Sequence, residues 1–557
     1  MAPWQIVAWR LGRVLVPSVL GGLLLAFSLP PWGWWPLAFA GAALVYWRLA
    51  GLDWRLRLLS GWAAGLGCFV PGLWWAGAFN WYGAAALMAV EALSMALAAV
   101  VVPSARWRVP SCVGAFTLAE AVRISWPFGG LPLGGLFLGQ ASGPLLDAAR
   151  LGGPLLLTAL VWLGGAGLAE LWRGASRTLL GAPASGSGLG RPTPWRRLRV
   201  GERRAVSSVS VGAASLLLVM AVALGGLVAP AGGRPVGRLA VALVQGGGHR
   251  GTSQFEVAPE TVLAAQVAAS ARLLSATDPP SLVVWPEDVV RVGPRLAGSA
   301  AAAYLSSLAR RLHATVLAGV TETVSATAFR NEVVAWGPAG SVVGHYEKVH
   351  RVPFGEYVPD RAFFSHFANL SAVPLDAIPG HGSGELTTPA GRLGLMISYE
   401  VFFATRGRSA TSAGAQLLVV PTNTSSYASS QVPSLEIAAD RLQAVEEGRD
   451  LVQAAPTGYS TVVDADGALR ARTVLGRRQV LEASVDLRTG RTVYEQLGGT
   501  PVLVLAGASL AASLLLALLG VDAAWARRWA RRARGRARRW KPVAPRVRAP
   551  GRHTAHS

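Results

Sequence analysis

The sequence predicts a two-part protein, a multi-span α-helical membrane domain joined to an α/β domain held outside the membrane. Three observations carry this reading. The chain of 557 residues is 52% hydrophobic and only 15% charged, with a mean hydropathy of +0.39, which is too apolar for an ordinary soluble protein. About eight stretches approach the roughly 20 apolar residues that a bilayer helix requires. Region 230–499 changes character and alternates short β-branched runs with amphipathic stretches.

The expected spans lie near 13–29, 34–50, 58–79, 84–103, 109–124, 152–172, 207–229 and 500–520, so a membrane domain (1–229) precedes the α/β domain (230–499) and one last helix (500–520) follows it. Segment 125–150 is apolar but broken by Pro127, Pro132, Pro144 and several glycines, and reads as re-entrant or interfacial. Tryptophans at the span ends, such as Trp34, Trp74 and Trp81, fit an aromatic belt.

Net charge is +22, a value that in a soluble protein suggests nucleic acid. Here the arginines sit beside apolar spans, so they set topology instead, and no nucleic-acid partner is expected. Arg48, Arg55 and Arg57 follow the second span, Arg106 and Arg108 the fourth, and a run from Arg173 to Arg204 the sixth. Those loops, the basic tail 521–557 and both termini should face the cytoplasm, leaving 230–499 outside a plasma membrane. Pro30-Pro31 follows the first span with no small-residue cleavage site, so that span reads as an uncleaved helix. Cys68 and Cys112 both fall in apolar segments and suggest neither a disulfide framework nor a metal cluster.

Strands are expected at 238–245, 281–287, 315–322, 331–338, 392–400, 415–423 and 460–467, with helices at 259–275, 296–313 and 433–448. Buried apolar strands alternating with helices indicate a sheet covered on both faces. Three strand ends carry reactive side chains. VVWPED brings Glu287 out directly after a proline; GHYEKVHRVPFGEYVP places Lys348 after a strand and Glu356 beyond it; GLMISYE ends at Ser398, Tyr399 and Glu400. Lys348 stands out further because only two of the 52 basic residues are lysines, and a compact ammonium of tunable pKa is what guanidinium cannot supply. The other lysine, Lys541, sits in the basic tail.

These segments, in this order and with these flanks, resemble the nitrilase superfamily, and within it the membrane-embedded apolipoprotein N-acyltransferases. The Arg-, Ala- and Gly-rich composition resembles that of actinobacterial members. The resemblance implies an α-β-β-α sandwich with a Glu-Lys-Cys triad: Glu287 as general base, Lys348 as oxyanion stabiliser, Glu356 as supporting carboxylate, Tyr399 and Glu400 as neighbours shaping the pocket. It implies acyl transfer from a phospholipid donor to the α-amino group of a diacylglyceryl apolipoprotein, with no cofactor and no metal.

One departure is chemical: the family's nucleophile is cysteine, and Ser398 stands there. A hydroxyl needs an adjacent base during attack, whereas a thiol ionises readily. Ser398 is either a working nucleophile or a small buried residue at a retired site. The alternatives to the acyltransferase are a membrane-bound amidase or ester hydrolase using the same triad with water, and a scaffold for a membrane glycosyltransferase such as one of polyprenol-phosphate mannose synthesis. A second departure concerns aromatics. GGGHRGTSQFEV, with Phe255, stands where a Trp is expected, and TNTSSYASS replaces an aromatic loop.

Other candidates carry plainer readings. Gly246-Gly247-Gly248 lacks the following Lys-Ser/Thr of a phosphate loop and reads as a turn. His345 and His350 flank Lys348 without a third ligand in sequence; His313 and His381 read as surface residues. Glu436, Arg441 and Arg449 read as structural ion pairs along the 433–448 helix.

Overall fold

The computed structural model describes residues 3–103, 108–179, 194–248, 256–366, 369–427 and 431–537. Phe255 and the far basic tail lie outside the described residues. Among the described residues the first part holds eight helices: α1 (Pro3–Phe27), α2 (Pro36–Arg48), α3 (Trp54–Gly72), α4 (Trp81–Val101), α5 (Arg108–Arg123), the short α6 (Leu136–Gly139), and the long α7 (Ala149–Leu179) and α8 (Pro194–Val228). Pro36 opens α2, and Asp53 and Asn80 cap α3 and α4 by accepting from Leu56 N at 3.0 Å and Gly83 N at 2.9 Å. The segment 81–101 and the stretches 146–177, 208–228 and 500–519 are long and apolar enough to cross a membrane. The span expected at 58–79 ends earlier, at Gly72, and a short 3-10 turn (Trp74–Ala78) follows it.

Close packing explains two of the bundle's glycines. A Cβ on Gly61 or Gly65 of α3 would come within 2.6 Å of the Met95 carbonyl or the Ala92 Cα of α4, so the G-x-x-x-G spacing lets these backbones touch. The broken segment after α5 becomes a saddle on which the second domain rests. Arg123 donates to the carbonyls of Leu131 at 2.5 Å and Leu133 at 3.0 Å, while pairing with Glu120 at 2.7 Å and Glu91 at 3.3 Å.

The second part holds strands β1 (Pro235–Gln245), β2 (Leu282–Val284), β3 (Val290–Val292), β4 (Thr315–Thr323), β5 (Ala328–Trp336), β6 (Val342–Glu347), β7 (Asp376–Ala377), β8 (Glu385–Thr388), β9 (Gly391–Leu395), β10 (Leu417–Pro421), β11 (Leu451–Ala454), β12 (Thr461–Val463), β13 (Leu469–Arg472) and β14 (Gln479–Arg488). They form two sheets, ordered β14-β1-β2-β4-β5-β6 and β13-β12-β11-β10-β9-β8, with β3 on β4 and β7 on β5. Val241, Leu243, Val284 and Leu317 of the first sheet bury against Leu393, Leu395, Leu417 and Val419 of the second. Helices α9 (Pro259–Ser270) and α10 (Ala300–Leu312) cover the outer face of the first sheet. The other outer face carries α12 (Ala404–Ser412) and α13 (Gln431–Glu447), after the short α11 (Arg361–Phe364).

The result is an α-β-β-α sandwich, as the resemblance implied. Leu435, Ala438 and Leu442 of α13 share one apolar core with Phe137, Leu157 and Trp162 of the bundle. The covered face is therefore what docks the domain onto the helices. A short α14 (Val493–Leu497) leads into α15 (Thr500–Ala537), which returns to α5.

Candidate active site

Glu287 follows β2, Lys348 follows β6 and Ser398 follows β9, so all three emerge at strand ends. Two strands, β4 and β5, separate β2 from β6, and the chain closes that gap in two ways. Gly319 on β4 lets the Glu287 backbone cross above it, since a Cβ there would stand 2.4 Å from Pro286 O and 2.5 Å from Glu287 Cα. Asn331 on β5 fills the remaining space.

Lys348 Nζ donates to Glu287 Oε1 at 2.8 Å and to Glu356 Oε1 at 2.7 Å. Asn331 Nδ2 donates to the same two oxygens at 2.8 and 3.0 Å. Glu356 Oε2 accepts from Val352 N at 2.8 Å, which ties the loop carrying Glu356 to the cluster. Lys348 is 1% exposed and Glu287 4%. Asn331 opens a stretch whose strand was expected, but its site role was not, because an asparagine at a strand start carries no chemical signal until the fold sets two carboxylates beside it.

Burial pushes the Glu287 carboxyl above its ordinary range, opposed by Lys348 and reinforced by Glu356. Burial also works against the Lys348 charge, but Glu287 and Glu356 outweigh it and hold the amine above its usual value. The two directions agree once charges are counted. Two carboxylates share one ammonium, so Lys348 keeps its proton while Glu287 accepts one readily. A carboxylate raised in this way is suited to general-base work near neutral pH.

Ser398 has φ +49°, a left-handed conformation that costs a β-substituted residue on the order of 1 kcal/mol or more and that recurs where a nucleophile is thrust out of a turn. The residue is partly exposed, between the buried Ile397 and Tyr399. Glu400 holds this turn against the lysine. Its carboxylate accepts from Ile397 N at 2.8 Å, just before Ser398, and from Val349 N at 2.8 Å and His350 N at 3.0 Å, just after Lys348. Tyr346 adds its hydroxyl at 2.9 Å. Glu400 is thus a strut joining the two sheets, while Tyr399 reaches the other way and donates to Gly130 O of the saddle at 2.9 Å.

Tyr427 supplies an aromatic contact from the loop where the sequence departed from the family pattern. Its ring stands 5.3 Å from Trp75 and 5.2 Å from Phe79 of the bundle. His350 stacks on Phe403 at 4.2 Å, and burial together with Arg406 pushes it down to about 4, so it is neutral at physiological pH.

Two expectations are corrected. Glu436, Arg441 and Arg449 make no ion pairs with one another among the described residues. Glu436 accepts from Thr422 Oγ1 at 2.5 Å, Arg441 donates to Gly467 O at 2.6 Å, and Arg449 donates to Ala415 O at 2.8 Å and Gly490 O at 2.7 Å. The arginines cap carbonyls exposed at turns, which periodicity along one helix cannot reveal. His345 also has acidic neighbours after all: strand pairing brings Glu332 and Glu347 within 4.8 Å of it. These groups are already engaged, His345 Nδ1 with Glu332 at 2.7 Å and Glu347 with Arg330 at 2.7 Å.

Comparison with known proteins follows the same division of the chain. Residues 21–167 match the family model described as the apolipoprotein N-acyltransferase N-terminal domain, and 240–495 match carbon-nitrogen hydrolase. A Mycolicibacterium smegmatis protein named apolipoprotein N-acyltransferase is 31% identical over 540 residues, covering 91% of this chain and 85% of its own. The chain belongs to the apolipoprotein N-acyltransferase family. A Geobacter metallireducens member of that family is 28% identical, covering 91% of this chain and 95% of its own. Among solved structures, Saccharomyces cerevisiae Nit3 of the nitrilase superfamily matches with a TM-score of 0.35 and 20% identity, over 45% of this chain and 91% of its own.

Proposed function

We propose that this protein is a membrane acyltransferase that moves an acyl chain from a phospholipid to the N-terminal amine of an S-diacylglyceryl apolipoprotein, through an acyl-Ser398 intermediate. The observation that carries the site assignment is the buried Lys348 shared by two carboxylates and tied through Glu400 to the Ser398 turn. Family membership supports lipoprotein and phospholipid substrates at a membrane, and such substrates would enter sideways from the bilayer.

Both hydrogen bonds to Glu287 fall on Oε1, which leaves Oε2 to take the proton of the Ser398 hydroxyl. The resulting alkoxide attacks the acyl ester carbon, Lys348 faces the developing oxyanion, and the lysophospholipid alcohol leaves with the proton from Glu287. In the second half-reaction the lipoprotein amine attacks the acyl-serine ester, Glu287 takes its proton and returns one to Ser398. An oxyester is a poorer acyl donor to an amine than a thioester, so this half-reaction limits turnover. The α/β domain lies on the extracytoplasmic side in this reading, with both chain ends in the cytoplasm and the division at 1–229, 230–499, 500–520 and 521–557.

The test is intact-mass analysis of the purified chain incubated with phospholipid, wild type beside Ser398→Ala, followed by addition of a diacylglyceryl-cysteine peptide. A one-acyl mass increase, absent in the variant and discharged onto the peptide, is expected. Discharge to free fatty acid alone would make the protein a hydrolase. No adduct would favour a retired site, and with it a scaffold for a membrane glycosyltransferase.

A further inference from the structure

The end of the bundle remote from the α/β domain gathers several arginines. Arg57 lies near the start of α3, Arg108 opens α5 and Arg173 lies in the last turns of α7. Arg57 and Arg108 are within electrostatic reach of each other, as are Arg108 and Arg173. Arg108 Nη2 donates to Tyr46 O at 2.6 Å, and the Arg108 and Arg173 guanidinium carbons stand 4.4 and 5.9 Å from the Tyr46 ring. Arg57 donates to Leu52 O at 3.0 Å and to Val102 O.

Negative charge is scarce in this cluster. Glu170 accepts from Tyr46 Oη at 2.7 Å and from Arg173 Nη1 at 2.6 Å. Asp53, exposed at the rim, is occupied with the Leu56 amide. Two guanidinium donors are left over. Arg108 is 5% exposed, yet its Nε, like Arg173 Nη2, is buried with no hydrogen-bond partner among the described residues. Arg48 Nε at the end of α2 is a third such atom. Buried charged donors without acceptors cost several kcal/mol, and a multi-oxygen anion is the acceptor that a guanidinium fork fits.

Position narrows the anion. Helix α5 runs from Arg108 to Arg123, whose side chain holds the saddle under the α/β domain, so the arginines lie roughly 22 Å away at 1.5 Å per residue. Trp47, Trp54 and Trp172 are exposed at the same end, as aromatic side chains are at a lipid–water boundary. We infer that this end of the bundle binds the phosphodiester of an anionic phospholipid in the leaflet opposite the α/β domain, with Arg108 and Arg173 as its principal contacts. Basic pockets between spanning helices take lipid head groups in this way. The inference does not depend on acyl transfer.

The test uses the full chain, delipidated in detergent, in native mass spectrometry and thermal unfolding with phosphatidylglycerol, with phosphatidylcholine of the same acyl chains, and with inorganic phosphate. Wild type should retain one phosphatidylglycerol that phosphatidylcholine does not match. Arg108→Gln and Arg173→Gln should each weaken that retention by about ten-fold, the loss of one charge-assisted contact. Equal retention of the two lipids by wild type, a measurement needing no variant, overturns the proposal. So does undiminished phosphatidylglycerol retention in folded variants. Phosphate stabilising wild type as well as phosphatidylglycerol does, with the same loss in the variants, would assign the arginines to a free anion and overturn the lipid.

Discussion

Two sets of carboxylates in one domain differ in the partners they find. Glu287 and Glu356 share an ammonium and an amide, whereas Glu436, Asp440, Glu446 and Glu447 line α13 with hydroxyl partners or none. Burial pushes all four α13 acids up, Asp440 and Glu447 to about 8, and Glu436 and Glu446 well above the ordinary range. Near neutral pH they are uncharged, and α13 can press its acidic side into an apolar layer. Lys348 and Glu287 are buried too, but their cluster cannot be neutral throughout, because the ammonium persists. Burial alone makes an acid inert; burial with one cation fewer than the anions present makes a poised base.

Ser398→Ala tests the reactive side of this contrast most severely, with loss of the acyl adduct and a fall in transfer of roughly 10⁴-fold or more. Lys348→Met should turn the cluster into a second α13, with Glu287 pushed further up and transfer reduced by about 10²- to 10³-fold; the chain should also unfold at lower temperature as Glu287 and Glu356 lose their counter-charge. Ser398→Cys keeps the turn and supplies an easier nucleophile and a better leaving group, so peptide acylation should hold or rise. A fall of ten-fold or more would mean that the turn is fitted to a hydroxyl.

Asn331→Ala removes a hydrogen bond that favours ionised Glu287. The acid limb of the pH–rate profile should move upward, since a base must be deprotonated to act, and kcat/KM at neutral pH should drop by about ten-fold. Unchanged limbs would separate Asn331 from the base. The smallest effects belong to α13. An acid raised in the folded state contributes stability that is present below its unfolded pKa and lost as pH rises through the folded one. For Asp440 and Glu447 the loss therefore runs from about 4 to about 8. Asp440→Asn and Glu447→Gln should flatten that decline in unfolding temperature and leave transfer unchanged.

Much of the architecture is legible in the chain because it follows from periodicity. Helices stand where apolar stretches run long, and the strands carrying Glu287 and Ser398 stand where short β-branched runs meet a proline or a polar triplet. What periodicity missed is instructive. LVQA at 451–454 is not among the expected strands, yet it forms β11, because Gly448 with φ +61° ends the helix and the chain then pairs in parallel with β10. Asn331 and Gly319 were silent for a different reason. An amide and a missing side chain acquire a role only from what the fold brings next to them.

The sequence by itself determined the apolar helices, the covered sheets and the candidate reactive groups, since hydropathy, strand period and a solitary lysine are properties of residues in order. Only the tertiary structure decided that Lys348 would have two carboxylate partners instead of one, that Glu400 would join the two sheets and that the α13 acids would be neutral. Those outcomes depend on distances of 2.5–2.8 Å between residues 8 to 61 positions apart. At that range the balance between desolvation and pairing decides charge, and no local pattern encodes it.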